Sequence, residues 1–152
     1  MKLNFDGFKL ANGNATCGFV LRDSNGKVLL AGAKNLAPSV SILEVEAWGL
    51  VEGLKGVASL SISHLLVEGD NLSVVNAVKN CWSTPWEINN MVYDARIMMS
   101  KFAMCQIDHC FQKANQATDF MANKGHSYSS LLYWFPPYCI DFSLIIRKDV
   151  LG

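Results

Sequence analysis

Four acidic residues stand out among the 152 residues of this chain. Asp6 interrupts the apolar stretch KLNFDGF, and three further acids follow at wide intervals: Glu46, Asp70 and Asp119. Carboxylates that converge without basic neighbours raise one another's pKa unless cations lie among them. Hard oxygen ligands of this kind are the ones that Mg²⁺ prefers. If the fold brings these acids together, the chemistry they indicate is the binding of divalent cations.

Asp6 also has a simpler interpretation. Asp-Gly between alternating apolar residues is a strong signal for a hairpin turn, and aspartate is depleted in strands. Burial of an unpaired carboxylate costs free energy. Asp6 is therefore at the end of a strand, in a turn, or held by something positive. The local sequence alone favours the turn.

The composition is typical of one globular domain, with 51% hydrophobic residues and a mean hydropathy of +0.19. Thirteen basic and thirteen acidic residues cancel, so no net field attracts nucleic acid or a membrane surface. We expect neither a signal peptide nor a membrane span, because the given residues show no basic start followed by an apolar run and no stretch near 18 apolar residues. Five cysteines without a C-x-x-C pair indicate reduced thiols. We expect an intracellular protein of the nucleus or cytoplasm, not a secreted one, and a minimal or truncated version of a longer chain.

Periodicity predicts the elements that carry the acids. Alternating apolar residues with tight turns predict an antiparallel meander of three strands at 2–6, 16–23 and 27–34. Helical spacing then predicts helices at 41–57, 70–80, 86–102 and 115–125. Shorter runs predict strands at 63–69 and 105–112. The order is β-β-β-α-β-α-α-β-α, and its crossover places the fourth strand parallel to one of the first three.

Local signals refine the first helix. Ser41 and Glu44 have the spacing of a capping box, which predicts the start of the helix. Gly49 and Gly53 weaken a helix interior unless another backbone must approach closely there. We expect a close approach to the sheet at both glycines.

Five motifs follow one another with these elements between them: LNFDG (3–7), GFVLRDSNG (18–26), ILEVEAWGL (42–50), LLVEGDNLSVV (65–75) and HCFQKANQATDFMANKGH (109–126). In that order they resemble ribonuclease H, and most closely the plant, retroelement-derived subgroup of reverse-transcriptase-like ribonuclease H domains. The resemblance implies an α/β fold with a five-stranded mixed sheet, three strands antiparallel and then two parallel, flanked by helices. The domain would span residues 1–127, and the apolar tail 128–152 would pack on the domain or on a protein partner.

The resemblance also implies an activity, the hydrolysis of RNA in RNA/DNA hybrids to leave 5′-phosphate and 3′-hydroxyl ends. Two Mg²⁺ ions roughly 4 Å apart, for which Mn²⁺ substitutes, would activate a water and stabilise the leaving oxygen. Asp6 would bridge both ions. Glu46 and Asp70 would complete the site of the leaving oxygen, and Asp119 the site of the attacking water. His109 would shuttle a proton or help the product leave, although a structural role is as well supported.

Other acids compete for these assignments. Glu44 lies nearly opposite Glu46 on a helix, so only one of them points at a site, and the family places its acid just before Ala47. Glu68 and Asp70 fall on the same side of a strand, so only the motif position favours Asp70.

Two more ambiguities concern caps and the last acid. Asp70 or Asn71 caps the following helix, and Asp70 could serve as both cap and ligand. Asp108 and Asp94 compete with Asp119, which alone lies one helical turn after Asn115, as in the family.

The predicted substrate contacts are the small or amide residues near these acids: Gly7, Asn12, Asn14, Asn71 and Asn115. Gly7 would let the backbone approach the scissile phosphate. Residues 86–102 contribute only Arg96 and Lys101 as basic groups, so binding should be weak and salt-sensitive. Gln112 and Lys113 stand where the family often has Arg-Glu. His64 and His126 are interpreted as surface or packing residues. The four tryptophans, at positions 48, 82, 86 and 134, are interpreted as packing residues of the core or the tail.

A second hypothesis is a catalytically idle module, left from a retroelement, that binds nucleic acid or protein. The neutral charge, the missing basic helix and the apolar tail favour it. Another nuclease or integrase on the same fold is less favoured, because such enzymes place their acids at different intervals.

Overall fold

The computed structural model describes residues 1–38, 40–127 and 131–151. Its sheet has six strands in the order β5-β4-β1-β2-β3-β6: β1 Lys2–Lys9, β2 Ala15–Arg22, β3 Val28–Leu36, β4 His64–Gly69, β5 Met104–His109 and β6 Leu132–Trp134. The pairs β1/β2, β2/β3 and β3/β6 are antiparallel, whereas β1/β4 and β4/β5 are parallel. The predicted fold class and the parallel crossover are confirmed. The predicted count of five strands was one too low, because a three-residue strand is too short for a period-two pattern.

In the described residues five α-helices flank the sheet: α1 Ile42–Ala58, α2 Leu72–Val78, α3 Asn89–Met99, α4 Gln116–Gly125 and α5 Ile140–Leu151. The predicted helix at 86–102 is shorter than expected, since its first turn, Trp86–Ile88, is a 3₁₀ helix. Pro85 before that turn makes no side-chain cap. None of the helices in the described ranges is long and apolar enough to cross a membrane.

Asp6 lies inside β1 and not in a turn. Its pairing partner in β2 is Gly18, and the ladder continues to the pair Lys9↔Ala15. The reversal occurs later, where the Leu10 amide donates to the Asn14 carbonyl at 2.8 Å. The hairpin interpretation of Asp6-Gly7 was therefore wrong, and so was a strand end at Asp6.

Helix α1 packs against the middle of the sheet. Leu50 and Leu54 are buried with Leu3, Phe5 and other strand residues in the main core. A Cβ at Gly49 would lie 2.7 Å from the Asp6 carbonyl oxygen, and one at Gly53 would lie 3.2 Å from the Leu3 side chain. The predicted close approach of a second backbone is confirmed at Gly49, whereas the near neighbours of Gly53 are side chains of the sheet.

Side-chain caps set where α1 and α2 begin. Ser41 and Glu44 form the complete capping box at the start of α1. Asn71 caps α2, because its Oδ1 accepts the amide hydrogens of Ser73 at 3.1 Å and Val74 at 3.2 Å. The carboxylate of Asp70 is therefore not needed as a cap.

The opposite sheet face is covered by α4 and α5. Val20 and Ala31 of the sheet cluster with Met121 of α4 and Phe142 of α5. Residues 132–134 of the predicted tail extend the sheet beyond β3. The tail positions 128–130 and 152 lie outside the described residues. No contact of a described tail residue indicates a protein partner.

Two tryptophans differ from their predicted packing role. Trp86 is 86% exposed and Trp82 is 50% exposed, whereas Trp48 and Trp134 are partly buried. The two exposed rings lie in or beside the connection between α2 and α3, and this connection runs over the surface. Period-based reasoning could not place them, because the connection has no regular period.

Candidate active site

Two strands and one helix bring three carboxylates together. Phe5 of β1 pairs with Gly69 of β4 in parallel register, so the next residues, Asp6 and Asp70, follow side by side. Glu46 joins them from the first turns of α1. One carboxylate oxygen from each of the three acids lies within 4.8 Å of the other two.

Gly7 explains how α1 comes so close to β1. A Cβ on Gly7 would lie 2.7 Å from the Glu46 amide nitrogen and 2.8 Å from the Val45 carbonyl carbon. The backbone of α1 therefore occupies the space above Gly7. This packing accounts for the glycine whether or not its backbone also contacts a substrate.

Burial and mutual repulsion raise the pKa values of the clustered acids. Desolvation, followed by the charges of Asp70 and Asp119, raises the pKa of Asp6 to about 8. Desolvation, followed by the charges of Asp6 and Asp70, raises the pKa of Glu46 to about 9. Desolvation also raises the pKa of Asp70. Without a cation, Asp6 and Glu46 hold protons near neutral pH.

The donor set suits a hard divalent cation. Glu46 Oε2 is buried and has no hydrogen-bond partner among the described residues. Among the described residues, the hydrogen bond that Asp6 Oδ1 accepts comes from the neighbouring Gly7 amide, at 2.9 Å. Several carboxylate oxygens with unused lone pairs match the ligand preference of Mg²⁺. Asp6, Glu46 and Asp70 could therefore hold a metal ion.

The fourth predicted acid, Asp119, lies on α4 near the cluster but outside the three-residue group. It is close enough for its charge to raise the pKa of both Asp6 and Asp70. Its own pKa is raised by desolvation. Asn123, one turn further along α4, donates from Nδ2 to Asp119 Oδ1 at 3.4 Å. Asp119 thus borders the cluster from the helix that covers the other sheet face.

His109 lies at the end of β5 beside Asp70. Its Nε2–H donates to the Asp70 carbonyl oxygen at 3.0 Å, which assigns the proton to Nε2 because a carbonyl only accepts. The Phe111 ring contacts the imidazole edge to face, with centroids 5.8 Å apart. Phe111 is 81% exposed, and the sequence reasoning did not single it out. Its position two residues after His109 was the feature of the sequence that could have indicated this contact.

The competing acids are engaged elsewhere. Glu44 completes the α1 cap. Glu68 pairs with Lys2 at 3.0 Å, and Asp108 pairs with Lys79 at 2.9 Å. The structure therefore brings together Asp6, Glu46 and Asp70 and not these alternatives.

The predicted substrate contacts are dispersed. Asn12 and Asn14 lie exposed in the β1–β2 turn, where Asn12 Oδ1 accepts the Asn14 amide at 3.0 Å. Asn71 is occupied as the α2 cap. Asn115 is only 1% exposed, and its Nδ2 donates to the Phe5 carbonyl oxygen at 3.1 Å.

Comparisons with known proteins agree with this architecture. The ribonuclease H1 of the halophilic archaeon Halobacterium salinarum superposes with a TM-score of 0.77 at 23% identity, covering 83% of this chain and 96% of its own. The N-terminal ribonuclease H domain of a Mycobacterium tuberculosis protein superposes with a TM-score of 0.75 at 21% identity. The match covers 83% of this chain and 94% of that one. A ribonuclease H1 from compost, solved in complex with an RNA/DNA hybrid, superposes with a TM-score of 0.73 at 15% identity. The match covers 81% of this chain and 94% of that one.

Because the sequence identities of these structures are 23% or lower, their similarity to this chain establishes its fold alone. No curated protein sequence matches the chain significantly. The profile of the family described as reverse transcriptase-like matches residues 4–125, a range that includes all four acids and excludes the tail. The chain belongs to the reverse transcriptase-like family and has a ribonuclease H fold.

Proposed function

We propose that this protein hydrolyses the RNA strand of RNA/DNA hybrids with the help of two divalent cations, Mg²⁺ or Mn²⁺. The observation that carries the proposal is the convergence of Asp6, Glu46 and Asp70, with ligand oxygens within 4.8 Å of one another. Asp119 on the adjoining helix supplies the fourth carboxylate. The family membership and the fold support the same chemistry.

Each acid has a defined task in this proposal. Asp6 and Glu46 lose their protons when a cation binds, because the cation replaces the proton as the positive partner. Asp70 and Asp119 complete the ligand set from the end of β4 and from α4. Bound Mg²⁺ supplies the activation of a water and the stabilisation of the leaving oxygen. His109, held by the hydrogen bond from its Nε2–H to the Asp70 carbonyl oxygen, shuttles a proton through its other ring nitrogen, Nδ1.

Binding of the hybrid should be weak and sensitive to salt. Arg96 is one of only two basic residues between positions 86 and 102, and it is engaged within the protein. Its Nε donates to the Val78 carbonyl at 3.1 Å and its guanidinium also donates to the Ala77 carbonyl at 2.6 Å. The side chain of Lys113 lies outside the described part of the structure. Arg96 is therefore not free to contact a phosphate, and the contacts that other basic residues make weaken as salt rises.

A cleavage assay on end-labelled RNA/DNA hybrid tests the proposal. With Mg²⁺, the wild type should nick the RNA strand and leave double-stranded DNA and single-stranded RNA intact. Asp70→Asn should lose at least about 100-fold in rate, because one ligand carboxylate is gone. Glu68→Gln is the matched control, since Glu68 pairs with Lys2 outside the cluster. Equal rates for the wild type and Asp70→Asn would exclude the enzyme.

A second candidate function is a catalytically idle module that binds nucleic acid or protein. The engagement of Arg96 by backbone carbonyls and the net charge of zero favour it, because both weaken the hold on a hybrid that cleavage requires. The same assay separates the two functions when binding is measured beside cleavage. Binding of the hybrid without nicking, at any concentration of Mg²⁺ or Mn²⁺, would identify the idle module.

A further inference from the structure

Asn115 precedes α4 but does not cap it with its side chain. An asparagine at this position usually accepts amide hydrogens of the first helical turn through its Oδ1. Here no side-chain cap is formed, and Nδ2 instead donates to the Phe5 carbonyl oxygen at 3.1 Å. The side chain is 1% exposed, and its Oδ1 has no partner among the described residues. The buried amide is therefore held in place by one bond to β1.

The main chain of Asn115 is bonded to the helix that follows. Its carbonyl oxygen accepts the amide hydrogen of Thr118 at 3.1 Å and that of Asp119 at 3.0 Å. Phe5 directly precedes Asp6. One residue thus connects the backbone at Asp6 with the backbone of Asp119 through two hydrogen bonds.

The position of this bond follows from the sheet. The parallel ladder between β1 and β4 ends at the pair Phe5↔Gly69, after which the chain leaves β4 towards Asp70 and α2. The Phe5 carbonyl oxygen lies in this last pair, and a buried carbonyl needs a hydrogen-bond donor. The Asn115 amide supplies a donor to Phe5 where the β1–β4 ladder ends, beside Asp6.

We propose that Asn115 is a positioning residue that sets the separation between Asp6 and Asp119, and so the geometry in which the acids bind divalent cations. The inference rests on the proposed function for the identity of the cations. It differs from the substrate contact predicted from the sequence, because the buried Nδ2 is already bonded to the protein. Groups that orient metal ligands typically change metal affinity 10–100-fold when removed.

The test uses Asn115→Ser, which separates positioning from helix capping. Serine is a good N-cap, so α4 can still begin at this point, but its side chain is one bond too short to reach Phe5. Asn115→Thr caps in the same way and fills more of the buried space, so it serves if the serine variant does not fold. Val57→Ala, in the buried end of α1 remote from Glu46, controls for lost stability. Asn90→Ala, on the surface of α3, controls for removal of an amide.

Calorimetric titration with Mn²⁺, at a temperature where melts show each variant folded, gives the deciding measurement. Asn115→Ser and Asn115→Thr should bind Mn²⁺ about tenfold or more weakly than the wild type. In the cleavage assay their kcat should fall by about tenfold or more, with KM for the hybrid within about twofold. Both controls should bind Mn²⁺ as the wild type does.

Two results would overturn the inference. One is wild-type Mn²⁺ affinity in the Asn115 variants, and the other is an equal loss of affinity in Val57→Ala. A wild type that binds Mn²⁺ without cleaving hybrids would contradict the proposed enzyme, while Asn115 would still be judged by metal affinity. A wild type that binds no Mn²⁺ would contradict both.

Discussion

Asp6 and Glu46 are buried carboxyl groups that the fold keeps close to other acids. Asp6 is 6% exposed and Glu46 is 7% exposed, and the negative charge of the nearby Asp70 raises the pKa of both. Burial and repulsion both oppose ionisation, so their raised pKa values have one physical origin. A site of this kind is unfavourable for the metal-free protein and becomes favourable when a cation compensates the charges. Function and stability are therefore opposed at these residues.

Asp6→Asn should stabilise the metal-free protein and abolish cleavage. The amide removes a buried charge yet keeps an oxygen that can accept the Gly7 amide. We expect the free energy of unfolding in EDTA at pH 8 to rise by about 1–3 kcal/mol. Urea denaturation of the variant and the wild type measures the difference. A destabilised Asp6→Asn would show that the carboxylate has a favourable partner in the metal-free protein.

The stability of the metal-free protein should fall as the pH rises. The pKa values of Asp6 and Glu46 are raised from 3.8 and 4.5 to about 8 and about 9 on folding. Between these limits the unfolded chain has released protons that the folded chain still holds, so rising pH favours unfolding. The loss begins near pH 4 and ends near pH 9. Urea midpoints in EDTA across this range should decrease, and the double variant Asp6→Asn/Glu46→Gln should flatten the dependence.

Mg²⁺ should reverse this trend. Because the cation displaces the same protons, its affinity should increase with pH up to about 9, and its binding at pH 7 should release protons. Calorimetry at pH 7 in buffers of different ionisation enthalpy measures the release. Binding without proton release would contradict the raised pKa values.

At the scale of elements, the contact between α1 and β1 sets the site. Gly7 and Gly49 let the two backbones meet, and this contact places Glu46 beside Asp6. A helix normally loses stability at a glycine, so the close packing offsets a local cost. Gly7 and Gly49 therefore contribute to the site by allowing α1 to pack directly on the backbone of β1.

Gly49→Ala should disturb this contact more than Gly53→Ala. The new Cβ at position 49 would meet the Asp6 carbonyl oxygen at 2.7 Å, and backbone cannot move aside easily. At position 53 the nearest atom belongs to the flexible Leu3 side chain, at 3.2 Å. We expect Gly49→Ala to cost about 1–3 kcal/mol of stability and to weaken Mn²⁺ binding. Chemical denaturation and calorimetry of both variants check this, and equal effects would contradict it.

At the scale of the whole molecule, the described part of the tail completes the second core. β6 covers the edge of β3, and Phe142 of α5 stacks on Phe120 of α4 with ring centroids 5.5 Å apart. The family match ends at residue 125, before the residues of this cover begin. We propose that residues 1–127 form the catalytic unit and that the tail stabilises it.

Phe142→Ala should therefore lower stability without changing the acid cluster. Phe142 is 2% exposed, and removal of such a ring costs about 3–5 kcal/mol. Leu144→Ala is the matched control, since Leu144 is 52% exposed on the same helix and should change stability by at most about 0.5 kcal/mol. Thermal melts measure both, and Mn²⁺ affinity should be that of the wild type in each. A loss of affinity in Phe142→Ala would link the tail to the site.

Short-range rules were enough to predict much of this protein. The Ser41–Glu44 capping box, the change from period two to helical spacing and the crossover at β4 depend on neighbouring residues, and the structure confirms them. Motif order identified the acids, of which three converge.

Tertiary structure alone decided the rest. Asp6 lies inside a strand because β2 continues to pair beyond it, and Gly7 is required because α1 crosses at that point. Asn115 donates to Phe5 because β4 ends one residue too early to do so. Each of these facts depends on which backbone groups remain unpaired or crowded once distant segments meet. Residue type and spacing carry the chemistry, but only the packed chain determines which atoms need a partner.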